Sequence, residues 1–220
     1  CPLIGFFGSW IFTQDAQAPD VDWASLPQRF DVKLTGLTPE SVHALAKRLA
    51  EIVFETMRTL HYDGAARTLI DEAWPNAGDA QDRASRKEVS TMTLGLAVTA
   101  LARYHAAQHG DAQAQAAILS LTRAAADYLA DELRDQEHGG FFAGKRLDGE
   151  NSGGRTKSLQ AQMAGIRGLL AAFDLTQDER YRAAAFAAYK FAENALWNGD
   201  LEVYKDRESR GLYAYTPLDL

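Results

Sequence analysis

The chain has 220 residues, of which 46% are hydrophobic, and a formal net charge of -7. This length suits one large or two small domains with a sizeable core, and the acidic balance argues against a nucleic-acid partner. The single cysteine excludes an internal disulfide, and no apolar run reaches the roughly 18 residues needed to cross a bilayer.

Residues 1–37 show no helical period and are predicted to form an irregular N-terminal arm ahead of a helical domain at 38–220. The arm begins with Cys1 and an apolar stretch, which makes Cys1 a candidate lipidation site and the arm a candidate membrane contact. A periplasmic, extracytoplasmic lipoprotein is therefore expected. Two alternatives stay open: a trimmed start whose apolar residues pack on a neighbour, or a leftover signal segment, because Ala16-Gln17-Ala18 resembles a cleavage site.

Helical signals dominate the remainder of the chain. Thr38 and Pro39 open the first predicted helix, and Ser85-Arg86-Lys87-Glu88 forms a capping box that opens the second. Five helices are predicted at about 38–60, 85–109, 111–133, 155–173 and 178–196. The second helix is apolar on several sides and is predicted to be more buried than the first.

Apolar stripes predict the core-facing sides of two of these helices. In the first helix the stripe consists of Val42, Leu45, Leu49, Ile52, Thr56 and Leu60. In the fourth it consists of Leu159, Met163, Ile166, Leu170 and Phe173.

Three loops with related sequences follow the first, third and fifth helices, after Leu60, Leu133 and Leu196. This spacing of roughly 65–75 residues is typical of one αα-hairpin per repeat. The sequence therefore predicts an all-α fold of antiparallel αα-hairpin repeats that form a partial (α/α) toroid. Helices two and four would form one layer and the other three a second layer, with all long loops at one end.

The segment His138-Gly139-Gly140-Phe141-Phe142, followed by Asp148-Gly149 and Lys157, resembles the N-acylglucosamine 2-epimerase and six-hairpin glycosidase superfamily of (α/α) toroids. The resemblance covers residues 85–205 and implies a carbohydrate site where the long loops converge. The chain differs in having fewer helices than a complete ring. It also has Gln160, Gln162, Met163 and Ala164 where the family's inner helix presents Trp, Gln and Arg.

Glu137 and His138 are adjacent in a Gly-rich loop, which suits a general acid/base pair at a pocket mouth. A structural interpretation is favoured, in which Gly139 and Gly140 adopt positive φ while the following phenylalanines plug the core.

Asp148 and Glu202 are further catalytic candidates, because they lie on loops predicted to share one end of the fold. Glycosidases need two carboxylates roughly 5–10 Å apart, and no spacing in this sequence singles out such a pair. His105 and His109 are four apart, but no third ligand is evident, so neither a metal nor a cofactor is predicted.

The leading functional hypothesis is a non-catalytic, extracytoplasmic accessory subunit whose exposed array ends contact protein partners. The alternative is a carbohydrate-active enzyme, similar to a glycoside hydrolase or a sugar epimerase, with its site at the long-loop end. The sequence leaves open whether the protein is an enzyme.

Overall fold

The computed structural model describes residues 39–71, 87–108, 110–147 and 157–200, together with the backbone of 203–204. The predictions for the N-terminal arm at 1–37, including Cys1, and for His109, Asp148 and Glu202 fall outside these residues.

Five α-helices form the described part of the chain, as the sequence predicts. They are α1 (Pro39–Thr56), α2 (Thr91–Ala107), α3 (Ala112–Asp131), α4 (Leu159–Thr176) and α5 (Glu179–Phe191). Four of them begin at a side chain that accepts a hydrogen bond from the first turn, namely Ser90, Asp111, Ser158 and Asp178. Short polar side chains therefore set these helix starts.

Short strands lie in the segments that flank the helices. They are β1 (Tyr62–Asp63), β2 (Thr68–Leu69), β3 (Glu88–Ser90), β4 (Gly144–Arg146), β5 (Trp197–Asn198) and β6 (Val203–Tyr204). Each pairs antiparallel with one partner, β1 with β2, β3 with β4 and β5 with β6. A π-helical turn precedes the first and last hairpins, at Met57–His61 and Ala192–Leu196.

The predicted capping box at the start of the second helix is wrong. Glu88 lies in strand β3, paired with Arg146, and the helix begins only at Thr91. Ser90 caps it instead, because its hydroxyl accepts a hydrogen bond from the Thr93 amide at 3.2 Å. Pairing with a strand more than fifty residues later overrides the local signal.

The inner layer consists of α2 and α4, which pack most extensively on each other. Helix α2 also packs on α3, and α4 packs on α5. Helix α1 reaches α2 through Phe54 and Tyr104, whose ring centroids are 5.5 Å apart. This arrangement of hairpins agrees with the predicted partial toroid.

Small residues allow the two inner helices to cross very closely. A Cβ atom placed on Gly95 would lie 2.2 Å from the carbonyl oxygen of Ala164, and one on Gly168 would lie 2.7 Å from that of Gly95. The backbones themselves therefore form this contact.

The predicted apolar stripe of α1 is wrong about which face is buried, and that of α4 is right in part. In α1, Leu45, Ile52 and Leu60 are 56%, 48% and 46% exposed, whereas Ala46, Ala50, Val53, Phe54 and Met57 are buried. In α4, Leu159 is buried and Ile166 and Phe173 pack half-buried against the core, as predicted, but Met163 and Leu170 are exposed. The buried face also includes Ala161, Gln162, Gly165, Gly168, Leu169 and Ala172. Apolar residues occupy more than one face of these helices, so the opposing surface decides which face is buried. The predicted burial of α2 on several sides is confirmed.

Candidate functional site

An ion pair between Asp135 and Lys157 fixes the loop that joins α3 to α4. The Lys157 ammonium lies 2.9 Å from Asp135 Oδ2 and donates a hydrogen bond to the Gly139 carbonyl at 2.7 Å. It also lies 4.6 Å from the ring centroid of Phe191 and 5.5 Å from that of Phe142. Lys157 is only 3% exposed, so its charge is stabilised by the loop and these rings instead of by water.

The Asp135 carboxylate holds the other side of the same loop. Its Oδ1 atom accepts hydrogen bonds from the amides of Glu137 and His138, both at 3.0 Å. Burial by itself would raise the pKa of Asp135, but the His138 amide, Lys157 and the Glu137 amide outweigh it and lower the pKa to about 2. Asp135 is therefore ionised at neutral pH and serves as a fixed acceptor, not as a proton donor.

Gln162 on α4 clamps the loop through a reciprocal pair of hydrogen bonds. Its Oε1 atom accepts from the Phe141 amide at 2.7 Å, and its Nε2 atom donates to the Phe141 carbonyl at 2.8 Å. The side chain is fully buried and also donates to the Ser158 carbonyl at 3.3 Å. The sequence points to this glutamine only through the family resemblance and carries no signal for its bonds to Phe141, because the partner is a backbone group far along the chain.

The structural interpretation of the Gly-Gly-Phe-Phe segment is confirmed. Gly139 and Gly140 have φ of 75° and 72°, and Phe141 is fully buried. A Cβ atom on Gly140 would lie 2.4 Å from the Phe191 ring, so glycine is needed there for both reasons. Phe142 is only half-buried, so Phe141 is the plug.

Glu137 and His138 lie at the tip of this anchored loop. Their side chains are 84% and 61% exposed. His138 Nε2 is 3.8 Å from Glu137 Oε1, and His138 Nδ1 is 3.5 Å from Asp135 Oδ2. The structure thus places an imidazole next to a carboxylate on a firmly held backbone, with both groups accessible to a ligand.

Among the residues that the structure describes, no three His, Cys, Asp or Glu side chains come together as a metal-binding group. Within the same ranges no helix has the length and apolar character to span a membrane.

A separate depression of about 290 Å³ lies on the outer side of α3, against the β1–β2 hairpin and the start of α5. Arg180 and Asp127 in its wall bind each other at 3.1 Å, and Asp127 also accepts from the Tyr181 hydroxyl at 2.8 Å. These contacts tie α3 to α5 and explain the charged wall without a ligand.

Known structures share this arrangement of helices. A sugar epimerase from a ruminal bacterium matches 97% of this chain with a TM-score of 0.64 and 12% identity. The mannosidase Bt3792 of glycoside hydrolase family 76 from Bacteroides thetaiotaomicron matches 93% with a TM-score of 0.60 and 13% identity. Cellobiose 2-epimerase from Spirochaeta thermophila matches 88% with a TM-score of 0.56 and 19% identity. The fold is therefore that of a partial (α/α) toroid.

The chain spans 47%, 44% and 43% of those three proteins, which is less than half of each. No protein-family model matches the chain, and no curated protein sequence matches it significantly.

Proposed function

We propose that this protein is a carbohydrate-active domain of the toroid type, whose carbohydrate site lies at the loop end of the inner helices. The observation that carries the proposal is that the structures similar to it over most of its length are named as sugar epimerases and glycoside hydrolases. This favours the enzyme alternative over the accessory-subunit hypothesis. A protein partner, lipidation of Cys1 and an extracytoplasmic location stay predictions.

The tip of the α3–α4 loop supplies suitable chemistry for such a site. Epimerisation and glycoside hydrolysis both need groups that donate or accept a proton beside a sugar carbon or oxygen. Glu137 and His138 are groups of this kind, and the Asp135–Lys157 pair keeps their backbone in place. Asp135 itself is unsuited to donate a proton at neutral pH, because its pKa is about 2.

Helix α4 adds a polar and an apolar contact close to its start. Gln160 and Met163 are exposed and three positions apart, so they share one face of the helix directly after Lys157. An amide can bind sugar hydroxyl groups, and a thioether can pack against the apolar face of a sugar ring.

The proposal can be tested by titrating the protein with mannose, cellobiose, N-acetylglucosamine and mannan oligosaccharides, with product analysis by chromatography. Turnover should fall by about 10²- to 10⁴-fold in Glu137→Gln or His138→Ala if these groups transfer protons. Glu55→Gln and His43→Ala, on α1, are matched controls and should retain the wild-type rate. Absence of both binding and turnover with every sugar would refute the proposal. Wild-type turnover in both tip variants would refute the assigned residues.

A further inference from the structure

The three loops that follow the outer helices α1, α3 and α5 form hairpins of the same kind. Each is closed by an antiparallel pair of residues seven positions apart in the chain. These pairs are Tyr62 with Leu69, Arg134 with Phe141, and Trp197 with Tyr204. The common register makes positions in the three loops directly comparable.

The residue after the first paired position has the same role in all three hairpins. It is Asp63, Asp135 or Asn198, and its side-chain oxygen accepts a hydrogen bond from the amide two residues later, at 3.0 Å in each case. This Asx turn orders the start of each tip. Because Asn198 serves as well as the two aspartates, the turn needs the side-chain oxygen and not its charge.

In the two aspartate hairpins, the second carboxylate oxygen binds a lysine that shortly precedes an inner helix. Lys87 Nζ lies 2.5 Å from Asp63 Oδ2, ahead of α2, and Lys157 Nζ lies 2.9 Å from Asp135 Oδ2, ahead of α4. The Lys87 hydrogen bond is the largest cause of the lowered pKa of Asp63. Both pairs therefore fasten a hairpin to the segment that leads into the next inner helix.

The tip side chains differ even though the tip backbone is shared. Ala65 and Ala66 donate their amides to Asp63, as Glu137 and His138 donate theirs to Asp135. The hairpin thus forms with alanine at both positions. The side chains of Glu137 and His138 are accordingly not required to build the loop, and both extend into solvent.

We propose that Lys87 and Lys157 are equivalent positioning residues, each of which fixes one hairpin tip independently of the other. In the tip held by Lys157, the side chains of Glu137 and His138 face the ligand. They can be replaced without changing the backbone of the tip. The ligand-facing part rests on the proposed carbohydrate function, whereas the positioning part does not.

Amide hydrogen exchange in the full chain tests the positioning. Lys157→Met removes the charge but keeps much of the side-chain volume. It should speed exchange at the amides of Asp135 and Gly139 by about 10- to 100-fold, the factor expected for loss of a hydrogen bond to a charged group. Exchange at Ala65 and Ala66 should not change.

Lys87→Met is the matched reciprocal variant. It should speed exchange at Ala65 and Ala66 and leave the amides of Asp135 and Gly139 as in the wild type. Faster exchange throughout α2 and α4 in either variant, or unchanged exchange at both tips, would overturn the proposal.

A rescue variant separates positioning from general damage. Asp135→Asn combined with Lys157→Met recreates the neutral Asx turn that Asn198 already forms, so it should restore slow exchange at Gly139 relative to Lys157→Met alone. If the double variant exchanges at Gly139 as fast as Lys157→Met alone, the proposed positioning of the tip by the Asp135–Lys157 pair is contradicted.

The proposed ligand contact of Glu137 and His138 is tested separately. Glu137→Ala with His138→Ala should leave tip exchange and melting temperature unchanged while it abolishes the response to sugar. A changed melting temperature would show that the side chains build the loop. If the wild type responds to no sugar, the carbohydrate function fails while the exchange results still decide the positioning.

Discussion

Replacement of Gly95 by alanine tests the close crossing of the two inner helices. The added Cβ atom would lie 2.2 Å from the Ala164 carbonyl oxygen, 2.5 Å from its carbon and 2.9 Å from the Gly165 nitrogen. All three are backbone atoms in the adjacent helix, so no side chain can rotate away. Helices α2 and α4 must separate instead.

The expected cost follows from two opposing effects. Separation by about 1 Å would forfeit a quarter to a half of the dispersion energy across the contact, and overpacking typically costs about 1–3 kcal/mol, occasionally more. Alanine in a helix interior recovers about 1 kcal/mol relative to glycine. Because the clash is with backbone atoms, the overpacking cost should lie at the upper end of its range. After the gain in helix propensity is subtracted, we expect Gly95→Ala to lower the free energy of unfolding by about 2 kcal/mol.

Denaturant unfolding and thermal melting measure this effect. A loss of about 2 kcal/mol should lower the melting temperature of a chain of this size by about 4–8 °C. Gly64→Ala is the control, because nothing lies within 4 Å of its added Cβ atom, and it should remain within about 0.5 kcal/mol of the wild type.

Gly168→Ala strains the same crossing from the other helix, so the double variant should cost less than the sum of the two single variants. A Gly95→Ala protein as stable as the wild type, or more stable, would refute the close contact, because helix propensity alone would then decide the outcome.

Three further predictions concern the loop and the core. Phe141→Ala should lower the free energy of unfolding by about 3–5 kcal/mol, and Phe142→Ala by clearly less, because only Phe141 is fully buried; equal losses in denaturant unfolding would disprove this difference. Thr68→Val should raise the free energy of unfolding by about 1 kcal/mol, since the buried Thr68 hydroxyl has no hydrogen-bond partner among the described residues; a lower melting temperature would reveal a bound water or another hidden partner. The pKa of Asp135 is lowered from 3.8 to about 2, so its ionised form should contribute about 2 kcal/mol of stability above pH 4, and this should be lost as the pH falls towards 2. Asp135→Asn should therefore flatten the acid side of the stability profile, and an unchanged slope in urea unfolding between pH 2 and 5 would argue against the pair.

Signals carried by neighbouring residues made much of this fold predictable. Pro39 at a helix start, the apolar character of α2 and the Gly139-Gly140 turn each follow from conformational preferences of a few adjacent residues. The three related loop sequences likewise indicated a repeat, because equal spacing along the chain is itself a sequence property.

Only the tertiary structure shows the features that depend on contacts between residues distant in the sequence. Leu45 and Ile52 are exposed, whereas Val53, Phe54 and Met57 of the same helix are buried. Both faces are apolar, so the position and shape of the opposing surface decide which of them packs. Glu88 joins a strand because Arg146 is available to pair with it.

The candidate site likewise combines features set by neighbouring residues with features set by long-range contacts. The sequence itself determined that Glu137 and His138 would be neighbours beside two glycines. Only folding brings Lys157 to Asp135 and Gln162 to Phe141, through contacts that span about twenty residues of chain. A buried charge or amide is stable only where its partners already stand in position, and that position is set by the packing of α4 against the loop.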